Sequence, residues 1–230
     1  MVAINVTCVV DFMCPWSFIG LRSLQLAKTE AVNVKLIPFE FDPPGTYPVE
    51  GTDWTEYCES YGEPKASFLL NEKLPRAFRL GEDVGIDFNI KRRIVHTELV
   101  NSALMLVQDE GGNGVDFALQ MLHRHFEILQ DPNNRNFLTE VLTKEIGIEK
   151  EKVDNLFQMQ PRDRTEQNQA WTHFARTTLG VGSVPHFIVT CGDSKEDICK
   201  RLPNEGPTSP DFFRRLFQIC AKDVGRDNEL

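Results

Sequence analysis

Strand character is confined to the two ends of this 230-residue chain, and that distribution restricts the folds open to it. Residues 2–11 (VAINVTCVVD) are apolar on both faces of an extended segment, as a strand buried on two sides would be. Residues 15–29 predict a helix, with Phe18, Leu21 and Leu24 recurring at helical spacing. VKLIPFEF at 34–41 reads as a second strand, and Pro38 places it at an edge or near its end. The turn-rich DPPGTYP at 42–48 then breaks the pattern. From there to about residue 171 the periodicity is helical, with helices predicted over 93–107, 115–129, 135–146, 149–158 and 162–179. Strand signal returns at PHFIVT (185–190), with a short strand near 196–200 and a last helix near 209–222. The simplest fold is α/β: one sheet domain built from residues 1–43 and 172–230, interrupted by an all-helical insertion at 44–171.

Charge and composition exclude several classes of function. A formal net charge of -9 and a pI near 5.1 argue against a nucleic-acid partner, which would need a basic face. No apolar run approaches the roughly 18 residues of a membrane span. The apolar N-terminus has no positive flank or small-residue cleavage site, so the expected location is cytoplasmic and the terminal DNEL is read as chance. None of the six cysteines forms a CxxC pair or a Cys/His cluster with zinc spacing, so no metal is expected and most thiols should be free. Cys8 fits core packing. Cys191 and Cys199 flank a turn-like GDSKEDI and could face each other across a hairpin.

The junction of the first strand with the first helix reads DFMCPWSF. A helix N-terminus presents unpaired N–H groups and the positive end of the helix dipole, which favour a thiolate over a thiol. Cys14 stands at that point. Pro15 suits the first helical turn, where no N–H is needed. Trp16 can cover the sulfur or line a groove beside it. The plain alternative is a cysteine that merely begins a helix; the strand, the Cys-Pro-aromatic run and the helix together weigh against it.

These residues resemble the active site of the DsbA-like thioredoxin superfamily, whose motif is Cys-x-x-Cys. GVGSVPHFIV at 180–189 resembles the segment that in that family carries a cis proline facing the active-site cysteine, here Pro185 after Val184. IPFEFDP, GIDFNI and VHTELVNSAL resemble the branch that holds FrnE-like proteins and 2-hydroxychromene-2-carboxylate isomerases. The resemblance implies a thioredoxin-like fold, Cys14 and Pro185 in the catalytic site, and Pro15, Trp16, Val184 and His96 around the substrate. The departure is Ser17, where dithiol members carry their second cysteine. Ser17 cannot release a mixed disulfide, but its hydroxyl can donate to a Cys14 thiolate. The expected chemistry is therefore monothiol exchange, with glutathione as co-substrate and a thiol or disulfide as partner. The runner-up is a glutathione-dependent transferase or isomerase of the kappa-class or 2-hydroxychromene-2-carboxylate type, whose members carry serine at the Cys14 position. A third reading is a non-catalytic peptide-binding module. A homodimer is compatible with the chain, and the sequence does not set its oligomeric state.

His96 falls on the helical face of Val100, Ala103 and Val107, where it would either pack in the core or line the cleft over Cys14. His123 and His125 are two apart and diverge on a helix. Phe39, Phe41, Phe187 and Trp171 are expected in the core.

Overall fold

The computed structural model describes residues 4–42, 46, 50–191, 200–201 and 209–227. In chain order its elements are β1 (Ile4–Val10), α1 (Pro15–Ala27), β2 (Val32–Pro38), β3 (Thr52–Asp53), α2 (Trp54–Glu59), α3 (Lys65–Phe68) and α4 (Leu74–Glu82). There follow β4 (Arg93–Ile94), α5 (Glu98–Asp109), α6 (Gly114–Phe126), α7 (Arg135–Glu140), α8 (Lys150–Gln158), α9 (Pro161–Thr177), β5 (His186–Cys191), β6 (Lys200–Arg201) and α10 (Pro210–Asp227). Wide π turns at Leu69–Lys73 and Val141–Glu145 join α3 to α4 and prolong α7.

The main sheet has the order β2-β1-β5-β6. β1 runs parallel to β2, as a helical crossover through α1 requires, and antiparallel to β5. Cys8 thus lies between Leu36 and Phe187. Alternation along β1 divides the core. Val6, Cys8 and Val10 join Leu21 and Leu24 of α1 with Phe213 and Phe217 of α10. Val9 joins Ile37, Phe39, Ala175 of α9, Val181 and Val184. β1 is therefore covered on both faces, which is why its apolar run does not alternate with polar residues.

The helices between the strands share this core. α5, α6 and α9 lie against β2, and α1 meets α4 and α6. The rings of Phe18, Phe88 and Phe126 pack within 5.4–5.9 Å of one another, joining α1 to the helical segment. The two buried rings, Phe18 and Phe126, each contribute about 1.5–3 kcal/mol of transfer free energy.

The segment 44–171 is not all-helical. β3 and β4 form a short antiparallel ladder, Thr52 with Ile94 and Asp53 with Arg93. Gly51 makes it possible: its φ is 79°, and a Cβ there would stand 2.5 Å from the Ile94 carbonyl oxygen. The Arg93 guanidinium donates to the carbonyls of Glu50 (3.1 Å) and Gly51 (2.7 Å), and the Val95 N–H donates to Met13 Sδ at 3.4 Å. These bonds hold 93–95 extended, so α5 starts at Glu98 rather than near Arg93. His96 accordingly precedes the helix and does not share a helical face with Val100, Ala103 and Val107.

Cys8, Cys14 and Cys58 carry free thiols, whereas Cys220 is disulfide-bonded and its partner lies outside the described side chains. Cys199, the Cys191 side chain and most of the terminal DNEL motif also lie outside the described residues.

Candidate functional site

The turn between β1 and α1 is held by Asp11. Its Oδ1 accepts the Met13 N–H (2.7 Å) and its Oδ2 accepts the Phe41 N–H (3.1 Å), which ties the turn to the end of β2. The Cys14 N–H donates to the Asp11 carbonyl at 3.1 Å. Cys14 is then the N-cap of α1 with extended dihedrals (φ -92°, ψ 115°), and its side chain makes no cap bond. Pro15 takes the first helical position. The sulfur is left half-buried, with its S–H directed at the Val184 carbonyl oxygen 3.6 Å away.

The Val184–Pro185 peptide is cis. Pro185 is backed by Gly20 of α1, where a Cβ would come within 2.8 Å of Pro185 Cγ and 3.0 Å of Phe187 Cζ. Glycine is needed there for the helix to close on the proline. Ser17 is fully buried and its Oγ accepts the Asp11 N–H at 3.1 Å, so it braces the turn from behind the sulfur.

A cavity of about 270 Å³ opens over Cys14. Cys14, Pro15, Trp16 and Val184 form one wall. The facing wall comes from α2, α3 and α4. Tyr57 donates to Asp42 Oδ2 (2.6 Å) and Tyr61 to Asp42 Oδ1 (3.4 Å), and the two hydroxyls lie 2.7 Å apart. Lys65 sits 3.5 Å over the Tyr61 ring, and Arg76 and Lys73 lie 5.8 and 6.0 Å from the centre of the Trp16 ring. His96 is not among the lining residues; its backbone carbonyl accepts from Asn133. Phe39 and Phe187 are core residues, but Phe41 is 47% exposed and borders the cavity.

Three ionisable groups stand at this cavity or beside it, Asp11 and Arg92 buried and Glu40 half-buried. Burial pushes Asp11 up to about 6, against the pull of the Met13 and Phe41 N–H groups. Burial pushes Glu40 up to about 7, with the Thr97 hydroxyl opposing it and the Asp11 and Glu98 carboxylates reinforcing it. Arg92 is 2% exposed and clasped between the rings of Trp54 (4.0 Å) and Phe126 (4.3 Å), donating to the Met13 carbonyl at 3.3 Å. Burial lowers its pKa to about 9, leaving it a cation at neutral pH that would favour Cys14 when that thiol ionises. The Cys14 thiol departs from the expectation drawn from its helix. Burial and then the Asp11 carboxylate push it up to about 11, while the N–H and hydroxyl of Ser17 and the N–H of Trp16 pull it back. The N-terminal dipole is present, but desolvation outweighs it.

Cys14, Pro15, Trp16 and Val184 therefore meet at one cavity, Ser17 braces the turn behind the sulfur, Pro185 follows Val184 and packs on Gly20, and His96 is not among the lining residues. Sequence reasoning missed Asp11, Glu40 and Arg92. The first two had a legible signal, a lone carboxylate inside the apolar runs VVDF and PFEF. Arg92 had none, since nothing local separates it from its exposed neighbour Arg93. Among the described residues no group of three His, Cys, Asp or Glu could hold a metal ion, and no helix is long and apolar enough to cross a membrane.

A family model described as a DSBA-like thioredoxin domain matches residues 5–215. No curated protein sequence matches the chain. Among solved structures, a probable DsbA oxidoreductase from Streptomyces coelicolor is 20% identical, with 95% of this chain and 90% of that one covered and a TM-score of 0.71. The cytosolic disulfide reductase DsbM from Pseudomonas aeruginosa, 14% identical, covers 95% and 98% at 0.66, and a second structure of it is described as with GSH. A 2-hydroxychromene-2-carboxylate isomerase, 13% identical, covers 98% of both chains at 0.63.

Proposed function

The chain belongs to the DSBA-like thioredoxin domain family, and from that premise we propose that it is a thiol–disulfide oxidoreductase using Cys14 as a single working thiol, with glutathione as the external one. The observation that carries this reading is the pairing of a cavity-facing Cys14, 3.6 Å from the Val184 carbonyl, with a buried serine at the position of a resolving cysteine. A substrate disulfide lies along the Val184 backbone. Cys14 Sγ attacks one of its sulfurs, the substrate S–S bond breaks, and the other half leaves as a thiol. The mixed disulfide waits for an external thiol because Ser17 cannot attack it. Ser17 and Trp16 donate towards the Cys14 sulfur and hold its charge whenever it leaves or attacks. Lys65, Lys73 and Arg76 suit glutathione, which brings two carboxylates to the cavity. The glutathione-bound relative supports this choice, and a cytosolic setting supplies the reductant.

Intact mass after exposure to oxidised glutathione tests the reading. Wild type should gain one glutathione and Cys14→Ser none. An unmodified wild type, or equal modification of the variant, would overturn it.

One observation favours a second reading. The cavity is lined largely by apolar and aromatic groups, Trp16, Trp54 and Tyr57 among them, and is of a size for a small planar molecule. That suits a glutathione-dependent isomerase or transferase, as one relative's name describes. In that case Cys14→Ser should keep or gain activity towards a small electrophile, because glutathione supplies the nucleophile.

A further inference from the structure

We propose that Asp42, Tyr57, Tyr61 and Lys65 form a site for an α-amino-acid head group. The disulfide taken by this cavity is then a small one with a free ammonium and a free carboxylate on one carbon, as in cystine or the γ-glutamyl end of oxidised glutathione. The inference rests on the thiol-exchange reading above and names its substrate class. All four residues line the cavity that holds Cys14. Asp42, Tyr57 and Tyr61 are half-buried, and Lys65 is exposed. The Tyr57 hydroxyl donates to Asp42 Oδ2 (2.6 Å) and the Tyr61 hydroxyl to Oδ1 (3.4 Å), with the two hydroxyls 2.7 Å apart. Both phenol protons are spent inside the cluster. It therefore offers the cavity acceptors, the remaining lone pairs of one carboxylate and two phenol oxygens, around a single negative charge. An ammonium, with three protons and no acceptor, fits such a set. The Trp54 and Tyr57 rings, 5.7 Å apart, supply aromatic faces beside it.

A cation that could neutralise Asp42 is present but held off. Lys65 Nζ lies 3.5 Å over the face of the Tyr61 ring, while Asp42 meets the hydroxyl end of the same ring. Among the described residues neither Asp42 nor Lys65 has an ion-pair partner. Two opposite charges are thus kept unpaired in one cavity with an aromatic ring between them. A ligand of single charge satisfies one of them and confronts the other. A zwitterionic head answers both, its ammonium on Asp42 and its carboxylate on Lys65. The other acids lining the cavity are engaged elsewhere: Asp11 accepts from the Met13 and Phe41 N–H groups, and Glu40 accepts from Thr97 and Asn101. Lys73 and Arg76 lie against Trp16, not Tyr61. In a protein disulfide both groups of the half-cystine are consumed in peptide bonds. A site of this kind therefore favours small amino-acid disulfides over protein ones.

The test is the initial rate of adduct formation at Cys14, located by peptide mass, with a series of symmetric disulfides at one pH. In each reaction one half joins Cys14 Sγ as the S–S bond breaks, and the other half leaves as a thiol. The first series is cystine, N,N′-diacetylcystine without the ammonium, cystine diamide without the carboxylate, and diacetylcystine diamide without either. The second is oxidised glutathione and its form acetylated on both amino groups. Each rate is divided by that of the same disulfide with a free small thiol, which removes intrinsic reactivity. In one series wild type should favour the free head over the fully blocked form by about tenfold or more, the scale of a hydrogen bond to a charged group. The series that responds identifies which head is taken. Asp42→Asn should remove the advantage given by the ammonium, Lys65→Met should remove that given by the carboxylate, and Lys65→Arg should keep both. A variant that failed to fold would lose both advantages together, so the split between the two variants reports the site. Equal rates for free and blocked heads in both series, or the same loss from both variants, would overturn the assignment. Failure of the parent reading looks different: no probe would give a Cys14 adduct.

Discussion

On the proposed thiol-exchange reading, Ser17 stands where a second thiol would release a mixed disulfide, and it is held in place by the Asp11 N–H. Ser17→Cys should restore an intramolecular route, because a thiol held one helical turn away has a far higher effective concentration than one that diffuses in. Wild type should reduce a disulfide substrate only with glutathione present. The variant should close an internal disulfide between Cys14 and the introduced thiol without it, read as a two-proton loss in mass. Full turnover by wild type without glutathione would contradict this. The substitution weakens the bond to Asp11, which costs about 0.5–1.5 kcal/mol, so its gain would not come from stability. At this scale the sequence was informative about identity and silent about environment. Cys14 and Ser17 could be picked out from their neighbours, but the direction in which the Cys14 pKa moves could not. Desolvation depends on what lies over the sulfur, and the Val184 carbonyl that meets it is 170 positions away along the chain.

Among the elements, α1 carries the most constraint. Its first turn presents Cys14, its buried face packs Leu21 and Leu24 under β1, and Gly20 lets it meet Pro185. Gly20→Ala would force a Cβ into a 2.8 Å contact. The expected cost is about 1–3 kcal/mol, typical of overpacking, read as a lower urea midpoint. Because the displaced atom belongs to Pro185, Cys14 should also react more slowly with oxidised glutathione, and an unchanged rate would show that the contact does not position the site. The end strands and most of the helices were legible because their periodicity is local. The β3–β4 ladder was not. Each of its strands is two residues long, too short for a pattern, and it exists because Gly51 and Arg93 let two distant backbones pair.

Across the described residues, Asp11, Glu40 and His125 are buried or half-buried groups whose shifts make stability depend on pH. Asp11 and Glu40 are raised to about 6 and about 7 from ordinary values of 3.8 and 4.5. A raised carboxyl binds its proton more tightly in the folded state, so its contribution is complete below the unfolded value and lost as pH rises through the folded one. His125 runs the other way. Burial, and then Arg92, lower it from 6.5 to about 3, so its contribution is present above 6.5 and lost as pH falls. Between pH 7.5 and 5 the two carboxyls outweigh the histidine. Wild type should gain on the order of 2 kcal/mol towards pH 5, since each tenfold change in proton affinity is worth about 1.4 kcal/mol. Urea unfolding at the two pH values measures it, and Glu40→Gln should cancel or reverse the gain. Equal stability of wild type at both values would contradict the raised carboxyls.

By itself the sequence determined what local physics controls: strands at the ends, helices between, and a cysteine at a helix N-terminus with a serine three residues on. Those follow from periodicity, from backbone N–H geometry and from residue identity, all readable within a few positions. The tertiary structure decided the rest. It set the facing wall of the cavity, the exclusion of His96 and the burial of Arg92 between two rings. These depend on which distant groups exclude water and which donors reach which oxygen, and no window of the sequence contains that.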